Sequence, residues 1–203
     1  MTRVFLIRHG ETEWNKVRRL QGSSNVKLSP EGIHQAQMLA ANAPFQSLDA
    51  IYSSDLVRAV ETAKFLANKF GLRVRTMPEL RETSFGFWEG KSISDLATAF
   101  PEDFGKFFTD PERCQPPHGE TFLQCQARVI NAMGRIVAAN DNNNVAIVSH
   151  GAAIRLILCA ALDIPIHKMW AISQFNMALN ILRIDDGNIT VELVNSTAHL
   201  HHF

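Results

Sequence analysis

Val4-Phe5-Leu6-Ile7-Arg8-His9-Gly10 near the N-terminus and Val145-Ala146-Ile147-Val148-Ser149-His150-Gly151 towards the C-terminus share one pattern: a short apolar run that delivers a histidine and then a glycine. A brief unbroken apolar run bounded by polar and glycine residues suits a strand covered on both faces. Two such strands predict an α/β sheet, and they put Arg8, His9 and His150 at strand carboxyl ends, where open α/β sheets hold ligands. Ala152 to Leu162 is strongly helical, so His150 sits where a strand hands over to a helix N-terminus. Free backbone N–H groups at such a point favour a phosphate or carboxylate. A lone Arg-His-Gly triplet matches by accident more often than by chemistry. Its distant partners therefore decide its meaning.

Outward from the first strand, Glu11 to Val26 is polar and aperiodic and reads as a long loop, a kind of segment that is often functional in compact domains. Asn15 and Gln21 suit turns, and their amides also donate hydrogen bonds to an oxyanion without adding charge. Ser29-Pro30-Glu31-Gly32 starts a helix, with Ser29 as N-cap and Pro30 in the first helical position. Ile33, Ala36, Ala40 and Ala43 form its small-residue stripe, with His34 off it and solvated. A strand over Asp49 to Ser54 precedes a helix from about Asp55 to Phe70, which ends at Gly71. Leu56, Ala59, Val60, Ala63, Leu66, Ala67 and Phe70 make the buried face of that helix. Arg58 lies in its first turn, where the helix dipole disfavours a cation. A surface pair with Glu61 or a nearby anion would each relieve that cost.

Leu72 to Met77 reads as a third strand. Glu79 to Gly90 mixes carboxylates, glycines and aromatics without periodicity, as a structured loop roofing a site does. A short helix starts at Ser92, with Asp95 in a capping-box-like position. Phe100 to Gly119 holds four prolines and the Phe104, Phe107 and Phe108 cluster, and reads as an insertion covering one edge of a cleft. A long helix from about Glu120 to Ala139 carries Phe122, Val129, Ile130, Met133, Ile136 and Val137 on one side. Ala178 to Ile184 and Ile189 to Val194 form a hairpin about Asp186-Gly187-Asn188. His199, His201 and His202 make a tail read as solvated, or prone to bind metal artificially.

The 203 residues suit a single domain over 1–203, with the cleft-covering insertion at about 83–119. Basic and acidic residues balance at 20 each, so no global field favours nucleic acid or an anionic membrane. Cys114, Cys125 and Cys159 are odd in number and lack zinc-type spacing, which fits reduced structural thiols in a cytoplasmic protein. No secretory signal and no membrane-spanning run is evident.

Arg8, His9, Arg58 and His150 are cations or potential cations at strand ends and helix starts. That arrangement suits a phosphoryl group, because guanidinium forks make strong charge-assisted bonds to phosphate oxygens. No Asp-rich or His-rich metal cage appears, nor a Gly-x-x-x-x-Gly-Lys or Gly-x-Gly-x-x-Gly loop, so nucleotide-dependent kinases and dehydrogenases recede. Here the chain resembles the histidine phosphatase, or phosphoglycerate mutase-like, superfamily. The resemblance rests on Arg8-His9-Gly10-Glu11-Thr12-Glu13-Trp14-Asn15, Leu28-Ser29-Pro30-Glu31-Gly32 and Ser53-Ser54-Asp55-Leu56-Val57-Arg58-Ala59. It continues through Leu80-Arg81-Glu82, Phe85-Gly86-Phe87-Trp88-Glu89-Gly90, Gly119-Glu120-Thr121 and Ser149-His150-Gly151. Any one of these is weak; so many in order along nearly the whole chain are strong.

The resemblance implies a three-layer α/β fold, with a mostly parallel sheet and helices on both faces. It implies His9 as the nucleophile that becomes phosphohistidine, with Arg8, Arg58 and His150 holding the phosphoryl oxygens. Asn15, Gln21 and the Gly151 N–H are its secondary donors, and Glu82 is its proton donor to the leaving oxygen. For Glu82 the plain alternative is a surface pair with Arg81 or Arg75. The implied activity is metal-independent and cofactor-free hydrolysis of a small phosphorylated metabolite, with α-ribazole phosphate one candidate, by a monomer or homodimer. A mutase of the family is the alternative, and a silent phosphate-binding scaffold a third, opposed by intact His9, Glu82 and His150. Thr83 to Glu89 offers no Arg or Lys before Lys91, so the pocket rim reads as apolar. Together with the length and Pro116-Pro117-His118-Gly119-Glu120, this resembles the small phosphatases, although His118 stands where those relatives often carry glycine.

Overall fold

The computed structural model describes residues 1–200. The opening apolar run is β1 (Thr2–Arg8), followed in order by α1 (Glu13–Lys16), α2 (Pro30–Asn42), β2 (Ala50–Ser53), α3 (Val57–Phe70) and β3 (Val74–Thr76). Next come α4 (Ile93–Ala99), α5 (Pro101–Thr109), α6 (Phe122–Ala138), β4 (Asn144–Ser149), α7 (Gly151–Ala161), β5 (Leu179–Asp185) and β6 (Asn188–Ser196). The strands form one sheet in the order β3-β2-β4-β1-β5-β6. β3, β2, β4 and β1 run parallel, and the closing hairpin of β5 and β6 adds the antiparallel edge.

Side chains alternate across a strand, and the continuous apolar runs of β1 and β4 therefore feed two cores. Val4, Leu6, Val145 and Ile147 face α6 and α7, together with an aromatic group that includes Phe85, Trp88, Phe104, Phe107 and Phe122. Phe5, Ile7, Ala146 and Val148 face α2 and α3. In the register of the central pair Arg8 lies opposite Ser149, so the chain leaves both strands side by side, and the His9 N–H donates to the Ser149 carbonyl at 3.0 Å. Two stretches about 140 residues apart thus deliver their histidines to one point.

The Ser29-Pro30-Glu31-Gly32 segment holds the loop after β1. Ser29 caps α2 by accepting from the Gly32 N–H, and it also donates through Oγ to Glu11 Oε1 at 3.0 Å. Gly32 and Gly10 interlock: a Cβ on Gly32 would lie 2.0 Å from the Glu11 carbonyl oxygen, and one on Gly10 would lie 2.6 Å from the Gly32 oxygen.

Several sequence expectations are corrected. The stretch from Glu11 to Val26 is not all loop: Thr12 and Asn15 form a capping box around the single turn α1. The buried face of α2 is Gly32, Ala36 and Leu39, and Ile33 is 41 % exposed, so the packed stripe runs through Gly32 and Leu39 instead of Ile33. On α3 and α6, Val60, Phe70, Ile130 and Val137 are only partly buried, while Arg58, Thr62, Cys125 and Ala132 are buried. The segment between Phe100 and Gly119 holds α5 and a 3-10 turn at Pro111–Arg113, since Pro101 and Pro111 sit in first turns, where a missing N–H costs nothing, while Pro116 and Pro117 lie in the loop that follows. His199 is buried rather than solvated, and its carbonyl accepts from Asn42. His201 and His202 lie outside the described residues. Cys114, Cys125 and Cys159 are buried free thiols, with burial pushing the first two up to about 12.

The glycine interlock yields a test. Gly32→Ala forces backbone apart in a packed region and should cost about 1–3 kcal/mol or more, as overpacking does. Urea denaturation measures that loss, and a wild-type midpoint would refute the interlock.

Candidate active site

The carboxyl ends of β1 and β4, the loop before α2, the start of α3 and the Glu82 segment enclose a cavity of about 210 Å³. Arg8, His9, Asn15, Gln21, Arg58, Glu82 and Gly151 all line it. His150 packs against His9 with ring centroids 5.1 Å apart.

His9 is held in one tautomer. Its Nδ1 lies 2.7 Å from the Gly10 carbonyl, which only accepts, so Nδ1 carries the proton. Nε2 then keeps its lone pair, and the Arg58 Nε–H donates to it at 3.2 Å. Burial, Arg58 and Arg8 hold His9 well below the ordinary 6.5, so the ring is neutral in the fold. His150 is held down likewise by burial, then by Arg58, His9 and Arg8. It is fully buried, and neither of its ring nitrogens has a partner among the described residues.

Arg58 has no exposed surface. Its Nη1 and Nη2 donate to the Ser24 and Gly22 carbonyls, each at 2.7 Å. Asn25 Oδ1 accepts the Val57 N–H at 2.7 Å, which caps α3 from the same loop. Arg58 is therefore not a surface partner of Glu61, whose carboxylate instead accepts the Leu28 N–H. Burial pulls the Arg58 guanidinium down to about 10, opposed by Glu82, and burial together with Arg155 brings Arg8 to about 10. Both remain cations near neutral pH. Arg8 Nη1 donates to the Gln174 carbonyl, while its buried Nε has no partner among the described residues.

Glu82 pairs with neither Arg81 nor Arg75. Arg81 grips Asp55 through two nitrogens and Arg75 donates to the Tyr52 hydroxyl. The Glu82 carboxylate instead accepts the N–H groups of Thr83 and Ala153 at 3.0 Å and of Ala152 at 3.1 Å. It occupies the first turn of α7, where free N–H groups and the dipole favour an anion. Asn15 Oδ1 is committed to Thr12, which leaves its Nδ2 without a partner among the described residues. Gln21 is buried at the cavity, and its Oε1 has no partner among the described residues.

Reading the sequence missed three supports and a lining cation. Glu89 accepts the Ser23 and Phe85 N–H groups and the Ser24 hydroxyl, tying the Phe85–Gly90 motif to the loop that holds Arg58. Arg128 pairs with Glu120 and donates to the Glu79, Arg81 and Glu82 carbonyls, which braces the backbone on either side of Glu82. Asn176 Nδ2 donates to the His9 carbonyl at 3.2 Å. Arg155 lines the cavity beside Gly151, and Arg19 lies on its rim, so the pocket is not bounded by apolar groups alone. Arg155 was signalled by its isolation, as the sole charge in the apolar α7.

Residues 4–197 match the family model described as histidine phosphatase superfamily (branch 1). Phosphoserine phosphatase 1 of Hydrogenobacter thermophilus is 30% identical over 100% of this chain and 96% of its own length. A Yersinia pestis protein named as a phosphoglycerate mutase, GpmB, is 32% identical over 98% of this chain and 95% of its own. Among solved structures, Bacillus stearothermophilus YhfR superposes with a TM-score of 0.95 at 31% identity, covering 99% of this chain and 100% of that one. The α-ribazole phosphatase of Shigella flexneri gives 0.87 at 31% identity, with 97% of each chain covered.

The two neutral histidines set a pH dependence. Below about 6.5 an unfolded chain protonates both, while the folded one does not. Unfolding then takes up protons, so stability falls as pH drops below 6.5 and is unaffected by these groups above it. Thermal midpoints should decline from pH 7 to pH 5, and His150→Gln should make that slope shallower. An unchanged slope would show that His150 is not held neutral.

Proposed function

The chain belongs to the histidine phosphatase superfamily, branch 1, and is a phosphoric monoester hydrolase of that family; from that premise we propose how its residues divide the reaction. His9 Nε2 attacks phosphorus while Nδ1–H stays on the Gly10 carbonyl. The P–N bond forms as the P–O ester bond breaks, and Glu82, having taken up the proton of the bound ester's monoanion, gives that proton to the departing oxygen. Arg8, Arg58 and His150 surround the phosphoryl oxygens and stabilise the charge of the transition state. The Arg58 Nε–H that rests on His9 passes to a phosphoryl oxygen as the lone pair is used. Asn15 Nδ2, Gln21 and the Gly151 N–H add neutral donors. Water then attacks the phosphohistidine, Glu82 takes its proton, and inorganic phosphate leaves.

The observation that carries this reading is the His9 geometry: a neutral imidazole of fixed tautomer, its Nε2 set beside Arg58 and Arg8, buried cations with no carboxylate ion pair among the described residues. The substrate is a small phosphorylated metabolite, held in one domain whose segment 83–119 covers the cleft through Phe85, Ile93, Phe107 and Phe108. α-Ribazole phosphate and phosphoserine are both candidates, being the substrates named for relatives. Hydrolysis is favoured over mutase transfer, since the lining cations beyond the phosphate cradle are only Arg155 and the rim Arg19.

Three results test it. Acid-quenched enzyme should carry labelled phosphate on His9, and His9→Ala should lose both label and turnover of p-nitrophenyl phosphate. Glu82→Gln should lower kcat by about 10²–10⁴, the usual worth of acid–base help, with a much smaller change in phosphate affinity; equal losses would mark a binding role. Turnover should persist in EDTA, because the protein's own cations neutralise the phosphoryl charge.

A further inference from the structure

Arg155 has no role in the reaction as described. It stands one turn along α7 from the N–H groups that hold Glu82. Its Nε–H donates to the Ile172 carbonyl at 2.7 Å and Nη1 to the Gly151 carbonyl at 3.2 Å, while Cζ lies 5.1 Å over the Trp170 ring. Nη2 has no hydrogen bond, and Arg155 forms no ion pair, among the described residues. Three fixed contacts hold the group rigid yet leave one edge of its fork open to the cavity that it lines.

Arg155 also crowds another cation. A Cβ on Gly151 would be 3.3 Å from Arg155 Nη1 and 3.4 Å from Arg8 Cζ, so two guanidinium groups flank one glycine. Like charges this close repel unless an anion lies between or beside them. Glu82 raises Arg155 electrostatically but does not bond to it. Trp170, fixed by donating Nε1–H to the Phe107 carbonyl at 2.6 Å, packs on Phe107 and Phe108 and makes the wall against which Arg155 lies.

Position settles what the open edge meets. Arg8, Arg58 and the two histidines claim the phosphoryl group, and Glu82 marks the departing oxygen. Glu82, Gly151, Ala152 and Arg155 line one cavity with Phe107, Phe108 and Trp170, so a leaving-group substituent placed past Glu82 along α7 would meet Arg155. We propose that Arg155 reads a carboxylate on the leaving group, which makes the favoured substrate the phosphate ester of a small hydroxy acid. A planar carboxylate matches one open edge of a guanidinium. A second phosphate would call for more donors than this one edge offers. The assignment rests on the phosphatase reading above.

The test compares O-phosphoserine with O-phosphoethanolamine, which differ only in the carboxylate, and uses p-nitrophenyl phosphate as a reference. Wild-type enzyme should favour the carboxylate ester in kcat/KM by about ten- to a hundredfold, what a charge-assisted contact supplies. Arg155→Met should bring that ratio to within about threefold of unity, mainly through KM, and Arg155→Lys should restore part of it. A wild-type ratio near unity, or a ratio that Arg155→Met leaves unchanged while all three esters slow together, overturns the assignment. In those cases label on His9 leaves the phosphatase reading standing. Absence of both label and turnover on every ester overturns the two together.

Discussion

A buried guanidinium governs this active site. Arg58 has no exposed surface, and its donors go to two carbonyls of the Gly22–Ser24 turn and to the reactive nitrogen of His9. Burying a cation without a carboxylate partner is costly unless each donor is satisfied and an anion arrives when it matters. The arrangement keeps His9 neutral, keeps its lone pair on Nε2, and fixes the turn that places Gln21. In the mechanism proposed above, the same unpaired charge that burdens the resting fold is what a phosphoryl group meets. Ground-state cost and transition-state stabilisation are one interaction seen at two stages.

Keeping acids out of ion pairs with Arg8 and Arg58 gives the nearby carboxylates a common use. Glu11 holds Ser29, Glu89 holds the turn that carries Arg58, and Glu120 holds Ser84 and Arg128 beside the Glu82 segment. Each fastens neighbouring segments together, and none forms an ion pair with Arg8 or Arg58 among the described residues. Glu82 alone reaches the cavity, and the start of α7 fixes it there by backbone N–H groups. The glycines serve the same fastening: Gly10 and Gly32 let a strand end and a helix start come closer than any side chain would permit.

Much of this was legible residue by residue. The apolar runs of β1 and β4, the Ser29 cap, the Gly71 terminator and the hairpin about Gly187 follow from rules that act over a few neighbours. Arg58 was recognisable as misplaced, since a cation in a first helical turn needs a reason, but its burial and its bond to His9 span 49 residues. The apolar rim read from Thr83 to Glu89 failed because it took one wall for the whole pocket. Arg155 enters from α7, where its isolation as the sole charge was the one local sign of it.

By itself, then, the amino-acid sequence determined the α/β alternation, most element ends and a set of candidate groups, Arg8, His9, Arg58 and Glu82 among them, that share one cavity. Those depend on local periodicity, capping and side-chain chemistry. Only the tertiary structure decided which nitrogen of His9 is free, that Glu82 rests on a helix start rather than on Arg81, and that Arg155 borders the same cavity. These rest on contacts between groups brought together by the fold, from Arg58 on His9 to Glu82 on the start of α7. Such pairings have no local signature, because the energy that selects them exists only once the sheet has formed.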